Sequence, residues 1–448
     1  MTKEEFLEIT KHLQECIKGS EFDGKTYAVG GSVRDYVMDN EIKDIDLVVE
    51  LPDGGLKLAK WLEENNRTKG SVVLYPTYGT AMFHLAKYPD YEIECVQTRG
   101  EQYHKETRNP ETCYAPITED CFRRDLTINA LYYDLSKCEI VDFTKKGLYD
   151  IKKHIIRVTN DNPDVVFDDD PLRILRVVRF ANRFGWQIEK NTLASMKEKA
   201  DRLSIITQER ITDEFTKILV NKNKYGEDGI ELLDEVIGLD RIIPEFGTLW
   251  TLCKKRLTYN NILVGLRHSD ADLCTRLAVL LYMFSLPVVE NILQNMKYSN
   301  DVVNEVLFLL NDTLFDGISY VYEFRKIHKM RALGYEVSKL QHACKSKEMF
   351  FKYLDVRTHI AIAQNEDWGF RQMVVDYIDQ NGTDMYNYKL PVDGNDVMRV
   401  MGIGPSKTVG DVLDSCLYRA FEKNDLTREE CIAQFELLRD YNKKKNNK

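Results

Sequence analysis

In 448 residues there is no C-x-x-C pair, no internal repeat, no low-complexity tract before the terminal NKKKNNK and no apolar run long enough to span a membrane. The most apolar stretch, RLAVLLYMFSLPVV, carries Arg276 and is broken by Pro287, so it reads as a buried helix. The N-terminal MTKEEFLEITKHLQ mixes charged and apolar residues at helical spacing and lacks the continuous apolar segment of a secretory signal. Ten cysteines are scattered from Cys16 to Cys431, and the nearest two, Cys113 and Cys121, match no zinc-ligand spacing. These absences lead to the expectation of a cytoplasmic chain with reduced thiols, without disulfide, zinc or membrane partner.

Hydrophobic residues make up 43% and charged residues 30%, the balance of a folded protein. The length suits roughly three domains of about 150 residues each. A net charge of -10 offers nucleic acid no general attraction, so such a partner would need basic residues gathered on one face. Up to Asp150 the strand-like runs KTYAVGG, DIDLVVE, SVVLYP, TAMFHLA and YEIECVQT dominate, with GLKLAKWLEENN helical among them. From Asp170 onward amphipathic helical patterns follow one another. The pattern predicts an α/β head and an all-helical remainder, with breaks near Lys152, at NKNKYGED and at NGT.

Within DIDLVV the side chains of a strand alternate between faces, which puts Asp44 and Asp46 on one side and Ile45 in the core. Two carboxylates on one face repel each other unless a cation lies between them, and Mg²⁺ commonly takes one or two carboxylates together with substrate phosphates. Taken alone, D-x-D is also a chance feature of surface strands. Upstream stands VGGSVRD, where a strand ends at Gly30 and Gly31 and a helix is expected to begin, Ser32 capping it with Asp35 three residues on, as in a capping box. Glycines admit a ligand close to the backbone, and the N–H groups of a helix start attract an anion, so this unit could hold a triphosphate beside the carboxylates. The plain alternative is a tight turn. On YEIECVQTR, Glu92 and Glu94 share a face and either could complete a metal site; Glu94 is preferred because its strand leads straight into Arg99.

RRDLTINAL, residues 123–131, looks like a helix start carrying Arg123, Arg124 and Asp125, with guanidiniums suited to phosphates or ribose oxygens. A surface ion-pair cluster would use the same residues. In DDDPLRILRVVRFANRFG, residues 168–185, Pro171 near a helix N-terminus would place the acids where the dipole favours them. At about 100° per residue, Ile174, Val177, Val178, Ala181 and Phe184 share one arc and Arg173, Arg176, Arg179 and Arg183 the opposite, basic one. Asp170 and Arg173, one turn apart, can lie side by side. A carboxylate accepting from an exocyclic amino group beside an arginine donating to a ring nitrogen or carbonyl would admit cytosine and adenine and reject guanine and uracil. The bland reading is a helix-capping salt bridge.

VGGSVRD, DID, RRDLTINAL, DDPLRILRVVRFANRF and QERITDEFTKIL stand in the order and spacing of class II tRNA nucleotidyltransferases, the CCA-adding enzymes, and the chain resembles these and the bacterial poly(A) polymerases between Val29 and Leu219. The later segments RLAVLLYMFSLPVVENILQNMKYSN and PVDGNDVMRVMGIGPSKTVGDVLDSCL resemble the family's helical body and tail more loosely. The resemblance implies a head of the polymerase-β nucleotidyltransferase type, a mixed sheet with helices, over residues 1–151, then an all-α neck over 152–220, body over 221–380 and tail over 381–448 that hold the tRNA acceptor arm. It implies Asp44 and Asp46 as Mg²⁺ ligands with Glu94 beside them, and Gly30, Gly31 and Arg34 at the triphosphate. Arg124, Asp125 and Asn129 would hold ribose and phosphates, Asp170 and Arg173 would read the base, and Arg176 and Arg179 would join the nucleotide-binding set. Asp169, Glu209 and Arg210 would support the base-reading helix without touching the nucleotide. Two positions depart from the family: Asp169 replaces the usual glutamate, which puts its supporting contact in doubt, and Leu126 replaces phenylalanine.

The activity so implied is template-independent addition of C, C and A to the tRNA 3′ end from CTP and ATP, releasing pyrophosphate. Some relatives carry an appended His-Asp phosphohydrolase domain, but none of the eight histidines here precedes an aspartate. In the family a flexible loop between the metal carboxylates and RRD is tied to the switch from C to A; GEQYHKETRNPETCYAPITED, with Lys105 and Arg108, retains it and favours complete CCA addition. An A-adding enzyme or a poly(A) polymerase stays open. Two other classes are a non-catalytic tRNA-binding protein, which would be expected to lose one of the paired carboxylates, and a transferase acting on a small molecule or protein, which would leave the basic neck helix idle. Oligomeric state is not legible.

Overall fold

The computed structural model describes residues 1–102, 111–221, 229–252, 255–316, 318, 319, 322, 331–381, 389–423 and 426–446. They fall into two compact units, Met1–Gly247 and Thr248–Lys448.

In the first unit β1 (Thr26–Val29), β2 (Ile45–Val49), β3 (Val73–Tyr75), β4 (Thr80–His84) and β5 (Glu92–Gln97) coincide with the five strand-like runs of the sequence. β6 (Arg99–Gln102) and β7 (Glu111–Tyr114) pair as a separate hairpin, and β8 (Tyr132–Asp134) with β9 (Glu139–Val141) completes a mixed seven-stranded sheet of order β3-β4-β5-β2-β1-β8-β9. β2 and β5 run parallel and the other neighbours antiparallel. Three helices accompany this sheet early in the chain: α1 (Lys3–Ile17), α2 (Gly31–Val37) and α3 (Gly54–Glu64). A parallel pair needs a crossover, and α3 supplies part of it. Gly55 lets α3 press directly on β5, since a Cβ there would stand 2.5 Å from the Cys95 carbonyl oxygen.

Strand alternation sorts the two faces. Ile45, Leu47 and Val49 join Phe6, Ile9 and Leu13 of α1 and Leu58 and Leu62 of α3 in the larger core. Tyr27, Val29, Val48 and Tyr132 face the other way and pack on Ile117 and Cys121 of α4 (Ile117–Phe122). Asp46 is cross-strand from Val29 and two residues from Val48, so its carboxylate belongs to this second face.

After α5 (Gly147–Lys153) come α6 (Pro163–Asp169), α7 (Arg173–Phe184), α8 (Lys190–Lys199), α9 (Gln208–Val220) and α10 (Gly229–Val236), with α7 packed on α9 and α10. The single helix expected to open near Asp168 is in fact two. Asp170 stands before Pro171 and takes an extended conformation, φ -143° and ψ 99°, because the proline ring crowds the helical region for its predecessor. Asp168 and Asp169 therefore end α6, where the dipole disfavours acids, instead of starting α7. Lys199 at 3.0 Å and Arg202 at 3.3 Å offset the charge of Asp168. The apolar arc of α7 is as expected: Ile174, Val177, Val178 and Ala181 are buried, Phe184 half-buried.

The described secondary structure of the second unit is all helical. Cys274–Leu281 is wholly buried, and Arg276 within it is accommodated by donating Nη1 to the Leu266 carbonyl at 2.8 Å and to Ser269 Oγ at 3.3 Å. Helices Gly394–Met401, Lys407–Lys423 and Arg428–Asn446 close on a small core of Val397, Cys416 and Phe435. Among the described residues no helix is long and apolar enough to cross a membrane, and none of the nine described cysteines forms a disulfide.

Candidate active site

β1 ends at a glycine turn. Gly30 has φ +77° and ψ -131°, a backbone that side chains disfavour, and α2 starts immediately at Gly31. The expected capping box is absent: with the helix starting a residue early, Ser32 Oγ donates back to the Val29 carbonyl at 3.0 Å and Asp35 forms a bidentate pair with Arg34 at 3.0 and 2.7 Å. Arg34 is buried, donates to Asn129 Oδ1 at 2.6 Å and lies 5.4 Å from the Phe180 and Phe184 rings. A Cβ at Gly30 would stand 3.7 Å from Arg124 Nη1 and 3.8 Å from Asp46 Oδ2, so the turn is where an acid and a guanidinium approach the backbone together.

Asp46 pairs in register with Glu94 of β5, whereas Glu92 lies opposite His84, 3.9 Å from its ring. Burial, then the charges of Asp44 and Glu94, raise the Asp46 carboxyl to about 6 despite Arg124 nearby. A carboxyl made to hold its proton by three such influences is short of positive charge, and a divalent cation fits that deficit. Among the described residues no three His, Cys, Asp or Glu side chains are grouped to hold a metal, so a cation here would take carboxylates from the Asp44 and Asp46 pair and complete its shell with water and substrate oxygens.

RRDLTINAL is not a helix start. Arg123 caps the end of α4, and the chain runs through a 3₁₀ turn at Thr127–Asn129 into β8, because Leu126, Ile128, Ala130 and Leu131 are all fully buried. Both arginines fold back on Asp120, at 2.8 Å from Arg123 and 3.0 Å from Arg124, and Tyr132 donates its hydroxyl to the same carboxylate at 2.7 Å. Burial alone would raise Asp120, but the two guanidiniums and the hydroxyl outweigh it and hold the acid at about 2. Asp120 was not among the expected site residues; its place four before Arg124 on a helix was the available signal.

The basic arc of α7 is mostly spoken for. Arg176 grips Asp125 at 2.6 Å and lies 3.5 Å from Glu214 of α9, and Arg179 reaches Glu214 at 2.9 Å. Asp125, buried at the cavity wall, is raised by burial but lowered further by Arg176, with help from Asn129 and the Leu126 N–H. Glu214 too went unforeseen. Asp170 and Arg173 are joined by the Arg173 N–H, which donates to the Asp170 carbonyl at 3.0 Å, while Asp170 Oδ2 accepts from Arg210 at 2.8 Å and the buried Arg173 guanidinium donates to the Arg123 carbonyl at 2.6 Å and the Val166 carbonyl at 3.3 Å.

A cavity of about 490 Å³ gathers Gly30, Gly31, Arg34, Asp46, Arg124, Asp125, Asn129, Asp170, Arg173, Arg176 and Arg210 from the expected set, together with Arg123, Leu172, Phe180 and Arg183. Asp44, Glu94, Arg179, Asp169 and Glu209 do not line it; Asp44, Glu94 and Glu209 are exposed and Asp169 half-buried. Lys105 and Arg108 lie outside the described residues. Seven arginines against three aspartates make the cavity strongly cationic in an acidic chain.

Arg183 has, among the described residues, no ion pair, only the Phe184 ring 5.2 Å away. Desolvation, then the charge of Arg34, lowers its pKa, so an incoming anion would relieve both. Arg183→Ala is expected to leave the melting temperature unchanged and weaken binding of a triphosphate anion about fivefold, the scale of one partly exposed charge contact. Unchanged affinity at low ionic strength would remove Arg183 from the site.

A family model described as the poly A polymerase head domain matches residues 26–157, and one described as a probable RNA and SrmB-binding site of polymerase A matches residues 185–248. The mitochondrial CCA tRNA nucleotidyltransferase of Saccharomyces cerevisiae is 32% identical over 214 residues, 43% of this chain, a match that spans only 37% of that protein's length. The tRNA nucleotidyltransferase cca1 of Schizosaccharomyces pombe is 25% identical over 90% of this chain and 89% of its own. The fold is that of the Bacillus stearothermophilus CCA-adding enzyme solved with CTP, at a TM-score of 0.70 and 20% identity over 98% of this chain and 99% of that one. The Thermotoga maritima CCA-adding enzyme solved with tRNA superposes at a TM-score of 0.63 and 22% identity, over 96% and 95% of the two chains.

Proposed function

We propose that the chain belongs to the family of CCA-adding tRNA nucleotidyltransferases and poly(A) polymerases and that it adds C, C and A to the 3′ end of tRNA from CTP and ATP. The observation that carries the reading is the cavity itself, which brings the glycine turn, one carboxylate of D-x-D, the RRD arginines and the α7 arginines into one cationic space. The tRNA 3′-oxygen bonds to the α-phosphorus, the bond from that phosphorus to the bridging oxygen breaks, and pyrophosphate leaves. Asp44 and Asp46 would hold Mg²⁺, which when bound favours ionisation of the hydroxyl and neutralises phosphate charge. Arg124, fixed by Asp120 and Tyr132, sets a positive charge beside the Gly30 backbone where a triphosphate can approach. Arg176, fixed by Asp125, extends that charge along α7.

Asp170 and Arg173 are the residues proposed to read the base. Each is already held, the first by Arg210 and the second by two backbone carbonyls, so their polar edges are set before the nucleotide arrives. Glu94 is proposed to tune Asp46 by its charge, and Arg179 to position Arg176 through Glu214. We carry the division into head 1–151, neck 152–220, body 221–380 and tail 381–448 as part of the same reading, with the helical remainder holding the acceptor arm.

The test is extension of three tRNA transcripts, ending before the tail, after C and after CC, with each triphosphate singly and then CTP with ATP. Growth to CCA that stops there is expected. Addition of A to the CC end alone would make the chain an A-adding enzyme, a long A tail would make it a poly(A) polymerase, and no incorporation would return it to the tRNA-binding class.

A further inference from the structure

The second unit contains a cavity of about 1110 Å³ that nucleotide transfer does not use. Rings of Tyr282, Phe315, Tyr322 and Phe370 stand in its wall, with one basic side chain, Arg357 of helix Lys347–Gln364. Arg357 is 7% exposed, and its Nη1 pairs with Asp312. Its Cζ lies 5.2 Å from the Tyr353 ring and 6.0 Å from the Phe315 ring. Nε and Nη2 of the same guanidinium are buried without a hydrogen-bond partner among the described residues. Those two nitrogens form the side edge of the fork, the pair of parallel donors that takes two neighbouring acceptors, and leaving charged donors unmatched in an interior is costly.

Glu366 lies on the same cavity, exposed and without an ion pair among the described residues, and its charge is felt at the Tyr282 hydroxyl, which is itself buried and unpartnered. The cavity thus combines aromatic walls for a planar ring, a donor fork and a spare carboxylate. Guanine alone among the common bases carries two adjacent acceptors on one edge, O6 and N7, and two adjacent donor groups, N1–H and the 2-amino group, on another. Adenine has no adjacent acceptor pair, and cytosine has one but a single amino group.

We infer that this cavity is a guanine site, with O6 and N7 on Arg357 Nε and Nη2, the N1 and 2-amino donors directed to Glu366 and the ring against the aromatic wall. Its volume exceeds that of a base and leaves room for ribose and phosphate. The occupant is therefore either a free guanine nucleotide or an unpaired guanine of an RNA.

Calorimetric titration of the full chain separates these sources. One arm uses GMP, 7-deaza-GMP, IMP, AMP and CMP; the other uses RNA hairpins differing only in a single bulged G, 7-deaza-G, inosine or A. Guanine is expected to bind at least about tenfold more tightly than adenine in one arm, with the 7-deaza and inosine forms losing most of that advantage. Preference in the first arm identifies a nucleotide, and preference confined to the hairpins identifies an RNA base. Glu366→Gln, at an exposed position remote in sequence from the first unit's site residues, is expected to erase the advantage over inosine without changing the melting temperature or CTP incorporation. Arg357→Lys tests the fork, and the 7-deaza series does so without mutation should that buried variant fail to fold. No guanine preference in either arm, or one that survives both 7-deaza substitution and Glu366→Gln, overturns the assignment.

Discussion

Asp46→Asn is expected to abolish nucleotide transfer, by on the order of 10³-fold or more, and at the same time to stabilise the metal-free protein. The second effect follows from linkage. The folded carboxyl titrates at about 6 against a usual value of 3.8, so the folded chain binds this proton more tightly than the unfolded chain does. The stabilising contribution of the protonated group is fully present below the unfolded value and lost as pH rises through about 6, so at neutral pH the ionised acid costs the metal-free fold up to about 3 kcal/mol, less to the extent that water reaches the half-buried side chain. The amide keeps the shape and removes the charge. Urea unfolding in chelator should show the variant more stable than the parent at pH 8, with the difference shrinking by pH 4.5. A gain of equal size at both pH values would mean that charge at Asp46 is not its source, and retained transfer would remove Asp46 from the reaction.

Asp120→Ala is expected to lower the stability of the first unit by about 3–5 kcal/mol, the usual consequence of stranding a buried charge. Two guanidiniums and the Tyr132 hydroxyl lose their common partner in this variant. Here the sign is opposite to that of Asp46. The folded acid sits at about 2, below its ordinary 3.8, so its contribution, about 2 kcal/mol, is present above the ordinary value and fades as pH falls toward 2. Asp120→Asn should recover part of the packing without the charge pairing, and both variants should raise the KM for CTP because Arg124 no longer has a fixed place beside the glycine turn. If denaturant midpoints of both variants match the parent, the ion cluster contributes nothing to folding.

The five strands, α3 and the apolar arc of α7 were legible because each rests on a period of side-chain burial, and burial is what the structure enforces. The preference for Glu94 over Glu92 rested only on its strand leading into Arg99, since period two puts both on one face; the register that sets Glu94 against Asp46 and Glu92 against His84 comes from strand pairing across the sheet. Charge partners were the least visible. Asp120 and Glu214 hold the arginines of this region in place, yet Glu214 lies 35 residues from Arg179 and nothing local marks it. Pro171 was read as a helix-start signal, and its stronger effect, expelling Asp170 from the helical region, split the helix in two.

Arg173 spans from α7 to the carbonyls of Val166 and Arg123, and Arg176 spans from α7 to Asp125. Mechanically these are cross-ties between the sheet-borne wall and the helical wall of one cavity. A pocket stapled in this way acts as a fixed die and not as a jaw: it keeps its width as successive nucleotides enter. On the proposed activity the growing 3′ end would then do the travelling, backing out by one residue after each bond is made, and the speed of successive additions should follow the mobility of the RNA end more closely than any hinge between these walls.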